Sequence, residues 1–280
     1  EPDSIAHDEP IRIKGWSPKN YSDSFRGEVT LSTALAKSIN TVAVRLSERV
    51  GRERVRDLGA AMGLTSPIAE GPAVALGVSE ATLLEMTSAY AVIANGGETA
   101  PAQGIMDITL RGDDQPVMTA GDGAATRRVM SEASAARLTG MMQAVIREGT
   151  GTRADPGRPT AGKTGTTQGA RDAWFIGFTG QYVIGVWMGK DDNAPLVGVT
   201  GGGLPAAIWR EVAVRVHDGL PVKALKTRSD GGGRELVATR EGGGGDDVAN
   251  SILRNVVDFL SSREGDAPSA NSQGGDRIER

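Results

Sequence analysis

Two threonine hydroxyls and an ammonium group flank a glycine in Lys163-Thr164-Gly165-Thr166, inside the stretch GRPTAGKTGTTQGARDAWFIGF at residues 157–178. One chemistry such a set could do is phosphate binding, because Gly157 to Thr164 fit the pattern G-x-x-x-x-G-K-[ST]. That use needs a buried strand before the glycine turn and a helix N-terminus after it. Here the preceding REGTGTRAD is polar and broken by glycines, and the following GTTQGARD begins a helix poorly. Pro159 also removes a backbone donor, so the match rests on spacing alone. A second chemistry is the capture of a carboxylate-bearing peptide end. On a strand over 160–167, Lys163 and Gly165 share one face, and Thr164 and Thr166 share the other. Gly165 lets a ligand backbone come close, and strand-edge N–H and C=O groups can pair with a peptide as an added strand. A polar edge strand with nothing bound fits these residues equally well.

Composition narrows the remaining chemistry. The 280 residues contain no cysteine, which removes disulfides, thiol nucleophiles and thiolate-bound metals together. The two histidines, His7 and His217, are too few for a multi-histidine metal site, and a Ser-His-Asp triad is not expected. An activated nucleophile would therefore need a different base. A net charge of −4 and a pI near 5.4 give no reason to expect nucleic acid as the partner. No cofactor and no metal is implied. Asp191-Asp192-Asn193 is better explained as a turn after a strand, and Arg171-Asp172 as an ion pair or turn.

The elements that must position these residues follow from periodicity. Residues 1–29, punctuated by Pro2, Pro10, Gly15, Pro18 and Gly27, read as a loop-rich lead-in. From Thr30, a suitable N-cap, Leu31, Leu35, Ile39, Val42, Leu46 and Val50 keep helical spacing until Gly51, as one helix or as two abutting ones. A short helix follows over about 52–62. SEATLLEMTSAYAVIANGG predicts a helix capped by Ser79, and SEASAARLTGMMQAVIREG another closed by Gly149, with Leu138, Met141, Met142 and Val145 as its stripe. Residues 98–128 have room for a small hairpin. The period then changes to 2: AWFIGF and YVIGVWMG predict strands joined by Thr179-Gly180-Gln181, with Trp174 and Trp187 in the core. Pro205 suits the first turn of a helix whose buried stripe is Ile208, Val212 and Val216, leaving His217 at the surface. The chain thus divides into the lead-in at 1–29, a folded domain at 30–220 and a Gly/Ser-rich, largely disordered tail at 221–280.

Ser38-Ile39-Asn40, in ALAKSINTVAVRL, interrupts the first of these apolar stripes. Two polar residues there pack poorly as helix and make sense if they break it and face a cleft. A mid-helix Ser or an Asn N-cap is the plainer alternative. S-x-N followed by K-T-G is a pairing found in penicillin-binding proteins and serine β-lactamases. The segments RGEVTLSTALAKSINTVAVRL, LGVSEATLLEMTSAYAVIANGG, GRPTAGKTGTTQGARDAWFIGFTGQYVIGVWMGKDD and GGGLPAAIWREV together make the chain, from about Gly15 to Asp218, resemble the transpeptidase domain of class A penicillin-binding proteins.

The resemblance implies an α/β fold of the α+β type: a five-stranded antiparallel sheet with helices on both faces, incomplete here at its N-terminal end. It implies peptidoglycan cross-linking, in which a serine attacks the D-Ala-D-Ala end of a donor stem peptide and an amine of a second stem takes the acyl group. β-Lactam antibiotics trap the same serine. By motif, Ser38 would relay a proton to the leaving amine, and Asn40 would bond the substrate amide. Lys163 would keep the cleft positive and hold Ser38. Thr164 and Thr166 would bind the terminal carboxylate, beside a Gly165 that leaves room for it, and the Thr166 N–H would supply half of the oxyanion hole. The resemblance also implies an upstream glycosyltransferase domain, a membrane anchor holding the domain at the periplasmic face of the inner membrane, and partners in cell-wall synthesis.

One departure stands out. The family nucleophile lies in S-x-x-K, and no serine of this chain is followed by lysine three residues later. Glu1 rather than Met opens the sequence, which reads as a piece of a longer chain. The expectation is a catalytically silent fragment whose missing front has been truncated or is supplied by another polypeptide. A serine β-lactamase or D,D-carboxypeptidase is the alternative within the same superfamily. A non-catalytic cell-wall sensor or scaffold is the alternative of another class.

Overall fold

The computed structural model describes residues 1–119 and 126–227. Most of the expected tail therefore lies outside the described residues. The lead-in is more ordered than its composition implies. Strands β1 (Ile5–Asp8) and β2 (Gly27–Thr30) pair antiparallel from Ile5↔Thr30 to Asp8↔Gly27 and enclose a long loop. Thr30 then caps α1 (Leu31–Ala36), its hydroxyl accepting the Thr33 N–H at 3.1 Å. Of the two readings left open for 31–50, two helices is the one observed. Ser38 adopts φ 54°, which no helix continues through, and α2 (Asn40–Val50) begins just after it. Gly51, at φ 101°, separates α2 from α3 (Arg52–Ala61).

Helix α4 (Leu83–Ala94) is capped by Thr82 instead of Ser79. Thr82 and Glu85 form a reciprocal capping box, while the Ser79 hydroxyl accepts the Ala69 N–H at 2.9 Å. A two-residue ladder of β3 (Asp107–Ile108) with β4 (Met118–Thr119) supplies the small hairpin. Helix α5 (Glu132–Arg147) buries Ala135, Ala136, Thr139, Met142, Ala144, Val145 and Ile146. That set is wider than one stripe because α5 packs against α1 on one side and the main sheet on the other.

The main sheet consists of β5 (Ala161–Thr166), β6 (Ala173–Phe178) and β7 (Val183–Met188), antiparallel in that order. This corrects the expected five strands to three among the described residues. The strands of the lead-in pair with each other, and those of the small hairpin likewise, so neither ladder joins the main sheet. Helices do cover both faces. On one, Ala161 and Phe178 pack with Ile93 of α4 and Met142 of α5. On the other, Phe175 meets Trp209 of α6 (Leu204–Val216) edge-on at 5.4 Å, and the Trp209 indole N–H donates to the Ile184 carbonyl at 2.9 Å.

Trp209 also explains a misread face. Ile208 and Val212 are each 37% exposed, whereas Ala206, Trp209 and Ala213 are fully buried. The largest apolar side chain takes the core, and the β-branched residues beside it turn outward. His217 is likewise buried, not superficial. Its Nε2 lies 2.8 Å from the Thr179 hydroxyl and its Nδ1 2.6 Å from the Ala213 carbonyl, which ties the end of α6 to the β6–β7 turn. Trp187 is 40% exposed and tilts against Trp174 at 6.1 Å. Helix α4 begins opposite Gly185, so the tryptophan pair lies beyond its cover. No helix among the described residues is long and apolar enough to cross a membrane.

Candidate active site

The turn between α1 and α2 is a Schellman ending with serine in the place glycine usually takes. The Ile39 N–H donates to the Ala34 carbonyl at 2.9 Å and the Ser38 N–H to the Leu35 carbonyl at 3.1 Å. Holding a serine in the left-handed region costs about 1–2 kcal/mol. Ile39 anchors the turn by packing with Ala34 and Val42 in a small apolar cluster that also takes in Val29 and Leu31. The polar residues on either side of it, Ser38 and Asn40, are left on the wall of a cleft of about 520 Å³.

Across that cleft runs β5, an edge strand with β6 on one side and no strand on the other among the described residues. The Lys163 ammonium donates to the Ser38 hydroxyl at 2.8 Å, across 125 residues of sequence, and to the Thr164 carbonyl at 2.9 Å. Burial pulls Lys163 down to about 8. It still carries its charge at neutral pH, but it gives up a proton far more readily than a free lysine. Thr164, on the opposite face of the strand, shares a 2.6 Å hydroxyl contact with Thr150. The Thr166 hydroxyl accepts the Gly201 N–H at 2.9 Å. A Cβ on Gly201 would meet the carbonyls of Gly165 and Trp174 at 2.3 and 2.4 Å, so only glycine lets this loop close the end of the cleft.

The lead-in supplies the remaining wall. Asn20, Tyr21, Ser22, Ser24 and Arg26 line the cleft, and Asn40 donates its amide to the Lys19 carbonyl at 2.7 Å. Lys37 also borders the cleft and donates to the Glu148 carbonyl. The structure thus gathers Ser38, Asn40, Thr164 and Thr166 around one hollow, with Lys163 joined to it through its bond to Ser38 and Gly165 between the threonines on the same strand. The phosphate-loop pattern does not survive: its Lys163 and Thr164 lie inside β5, which leads into a turn and another strand rather than a helix.

Sequence reasoning missed Thr150, Lys37, the glycine loop and the whole 20–26 segment. The run Gly201-Gly202-Gly203 was the one usable signal, since consecutive glycines mark close backbone approach as well as a helix start. Asp191-Asp192-Asn193 forms a turn in which the Asp192 carboxylate accepts the Ala194 N–H at 3.0 Å. Asp172 accepts from the Trp187 indole at 3.0 Å and from the Thr167 hydroxyl at 3.4 Å, and does not pair with Arg171. No group of three or more metal-ligating side chains is assembled among the described residues. Chemically, the cleft offers a readily deprotonated lysine in contact with a serine hydroxyl. Beside them are two more hydroxyls and an open strand edge, a set suited to moving a proton next to an anchored peptide.

The family described as the penicillin-binding protein transpeptidase domain matches residues 1–212. Penicillin-binding protein 1A of Rickettsia conorii is 35% identical over 218 residues, which covers 68% of this chain and 28% of that protein. Penicillin-binding protein 1A of Aquifex aeolicus is 39% identical over 184 residues, 65% of this chain and 25% of that one. The chain therefore spans about a quarter of the length of these relatives. The PonA1 protein from Mycobacterium tuberculosis, solved in complex with penicillin V, superposes with a TM-score of 0.69 at 24% identity over 79% of this chain and 65% of that one. The chain belongs to the transpeptidase domain family of class A penicillin-binding proteins.

Proposed function

We propose that this chain forms the non-nucleophilic half of a D,D-transpeptidase active site, the half that receives the D-Ala-D-Ala end of a peptidoglycan stem peptide. The observation that carries the reading is the Lys163–Ser38 contact beside the open edge of β5. In this reading the peptide adds as a strand along β5. Thr164 and Thr166 take its terminal carboxylate, and Asn40 bonds its amide. The Thr166 N–H faces the developing oxyanion, where one donor is worth about 2.7–4 kcal/mol of transition-state stabilisation. Ser38, held by Lys163, returns a proton to the departing D-Ala amine, and an amine of a second stem then takes the acyl group. β-Lactams occupy the same place as mimics of the peptide.

The nucleophile and its activating lysine come from outside these 280 residues, since none of their serines stands in S-x-x-K. In the whole protein the domain would work beside a glycosyltransferase domain, anchored at the periplasmic face of the inner membrane among other cell-wall synthesis proteins. Fluorescent penicillin tests this division of labour. The 280-residue chain alone is expected to show no covalent label, and labelling is expected when a segment carrying S-x-x-K is joined or added to it. A covalent adduct on the chain alone would refute the division. Slow release of the restored adduct fits a transpeptidase, whereas rapid turnover would assign the fold to a β-lactamase. Absence of any label with S-x-x-K present would favour a sensor or scaffold.

A further inference from the structure

Among the described residues, the most heavily bonded buried charge lies outside both sequence motifs. Asp8, the last residue of β1, is 1% exposed. One of its carboxylate oxygens accepts from the Thr41 hydroxyl at 2.6 Å and from the Asn20 amide at 2.7 Å. The other accepts the Arg26 N–H at 2.9 Å. These donors come from two different parts of the cleft wall. Thr41 sits in the first turn of α2, next to Asn40. Asn20 and Arg26 lie near the two ends of the loop that faces the hollow. Asn20 closes the connection by also donating to the Ser24 carbonyl at 3.0 Å and accepting the Thr41 N–H at 3.3 Å. Its neighbour Lys19 presents the carbonyl that holds the Asn40 amide.

We infer that Asp8 is a positioning residue: through Thr41 and Asn20 it locks the 19–26 loop to the start of α2, and so fixes the direction of the Asn40 amide and the width of the cleft at that wall. The geometry supports this over a purely structural role. An asparagine amide has two N–H donors and one carbonyl. Only one of those donors meets the Lys19 carbonyl, which leaves the other and the carbonyl for a ligand amide. A loop free to move by an ångström would turn them away, and displacements of that size can cost about a hundredfold in rate at a reacting centre. Tyr21, on the same loop, is 91% exposed and borders the cleft, so a locked loop also fixes where an aromatic ring can meet the body of an incoming peptide. Burial by itself would raise the Asp8 carboxyl. The hydrogen bonds from Thr41 and Asn20 and the backbone N–H and charge of Arg26 instead hold it below the ordinary value, which favours the charged carboxylate.

The inference rests on the reading of the cleft as a peptide site, and the experiment separates the two. The 280-residue chain, its Asp8→Asn variant and its Asn20→Ala variant are compared by NMR, using the Asn40 side-chain amide signal and hydrogen exchange at residues 19–26 and 38–41. Each is then titrated with diacetyl-Lys-D-Ala-D-Ala. The expected result is a moved Asn40 signal, faster exchange in both segments, and affinity weakened roughly tenfold or more, with β5–β7 exchange unchanged. Asn20→Ala, which removes no buried charge, decides the matter if Asp8→Asn fails to fold. An unmoved Asn40 signal with unchanged exchange would overturn the inference whatever the peptide does. Coupled changes at Asn40 and the loop in a chain that never binds the peptide would support the lock and overturn the peptide-site reading.

Discussion

The two walls of the cleft are built by different forces. The β5 wall belongs to a sheet whose register is fixed by burial: Ala161, Phe175, Ile176 and Phe178 are all but fully enclosed, and a slip of one residue would carry each to the opposite face, where a different set of helix side chains is packed. The Ser38 wall has little apolar mass. A strained serine, the small cluster around Ile39 and the Asp8 hydrogen-bond centre hold it in place. Core burial is non-directional and tolerates small changes, whereas a polar centre is lost as soon as one partner goes unsatisfied. The wall that carries the lysine is therefore robust, and the wall that must set the serine and asparagine is finely adjusted and easily disturbed.

The sharpest way to break this comparison is to attack the robust wall. Trp209→Ala is expected to cost about 3–5 kcal/mol, measured by urea unfolding, because it empties the space against Phe175 and forfeits the bond to Ile184. Both walls should fall together. A loss below about 1 kcal/mol would mean the sheet does not depend on that face.

Thr41→Val probes the other wall at nearly constant volume. It leaves the buried Asp8 carboxylate one donor short, at a cost of about 1–3 kcal/mol. Hydrogen exchange should quicken in α2 and the lead-in before β6 changes. Uniform acceleration across the chain would contradict the separation of the two walls.

A smaller effect of opposite sign is expected from Ser38→Gly. Glycine removes the left-handed penalty but gives back part of it as entropy of the unfolded chain, for a net gain of about 0.5–1 kcal/mol by calorimetry. The same change removes the hydroxyl from Lys163, so stability and site chemistry should move in opposite directions. Destabilisation by Ser38→Gly would show that the hydroxyl contact outweighs the strain.

The lysine itself can be followed without altering the fold. Its Nζ should titrate near 8 instead of near 10.5. Between those values the unfolded chain binds more protons than the folded one, so stability should rise with pH across that window, and below it the cost of charging the buried ammonium is fully present. Lys163→Met should abolish the rise. An Nζ midpoint above 10 would mean the ammonium is hydrated and free.

How much of this was legible in the sequence depended on whether the signal was local. The β6–β7 hairpin and its turn were readable because alternation and a Thr-Gly-Gln turn lie in one short window. The break at Ser38 was only half readable: the polar pair flanking Ile39 hinted at it, but the apolar spacing through Leu35, Ile39 and Val42 fitted one helix or two equally well. The face of α6 was not, since Trp209 and Ile208 are both large hydrophobic residues and only the tertiary partners, Phe175 and the Ile184 carbonyl, choose between them. His217 was misplaced for the same reason: its partners, Thr179 and the Ala213 carbonyl, are invisible to a helical count. The five-strand expectation came from resemblance alone, and the described residues supply three strands in the main sheet. The contribution of Asp8 and the 20–26 loop had no sequence signal, because a hydrogen-bond centre drawn from residues 8, 20, 26 and 41 has no period.

The most direct test is a titration of the uniformly ¹⁵N-labelled chain with diacetyl-Lys-D-Ala-D-Ala. The account predicts saturable shifts concentrated at Ser38–Asn40 and Thr164–Thr166, weakened when the peptide's terminal carboxylate is amidated. Shifts absent from both segments at millimolar peptide, or equal for the free acid and the amide, would contradict it.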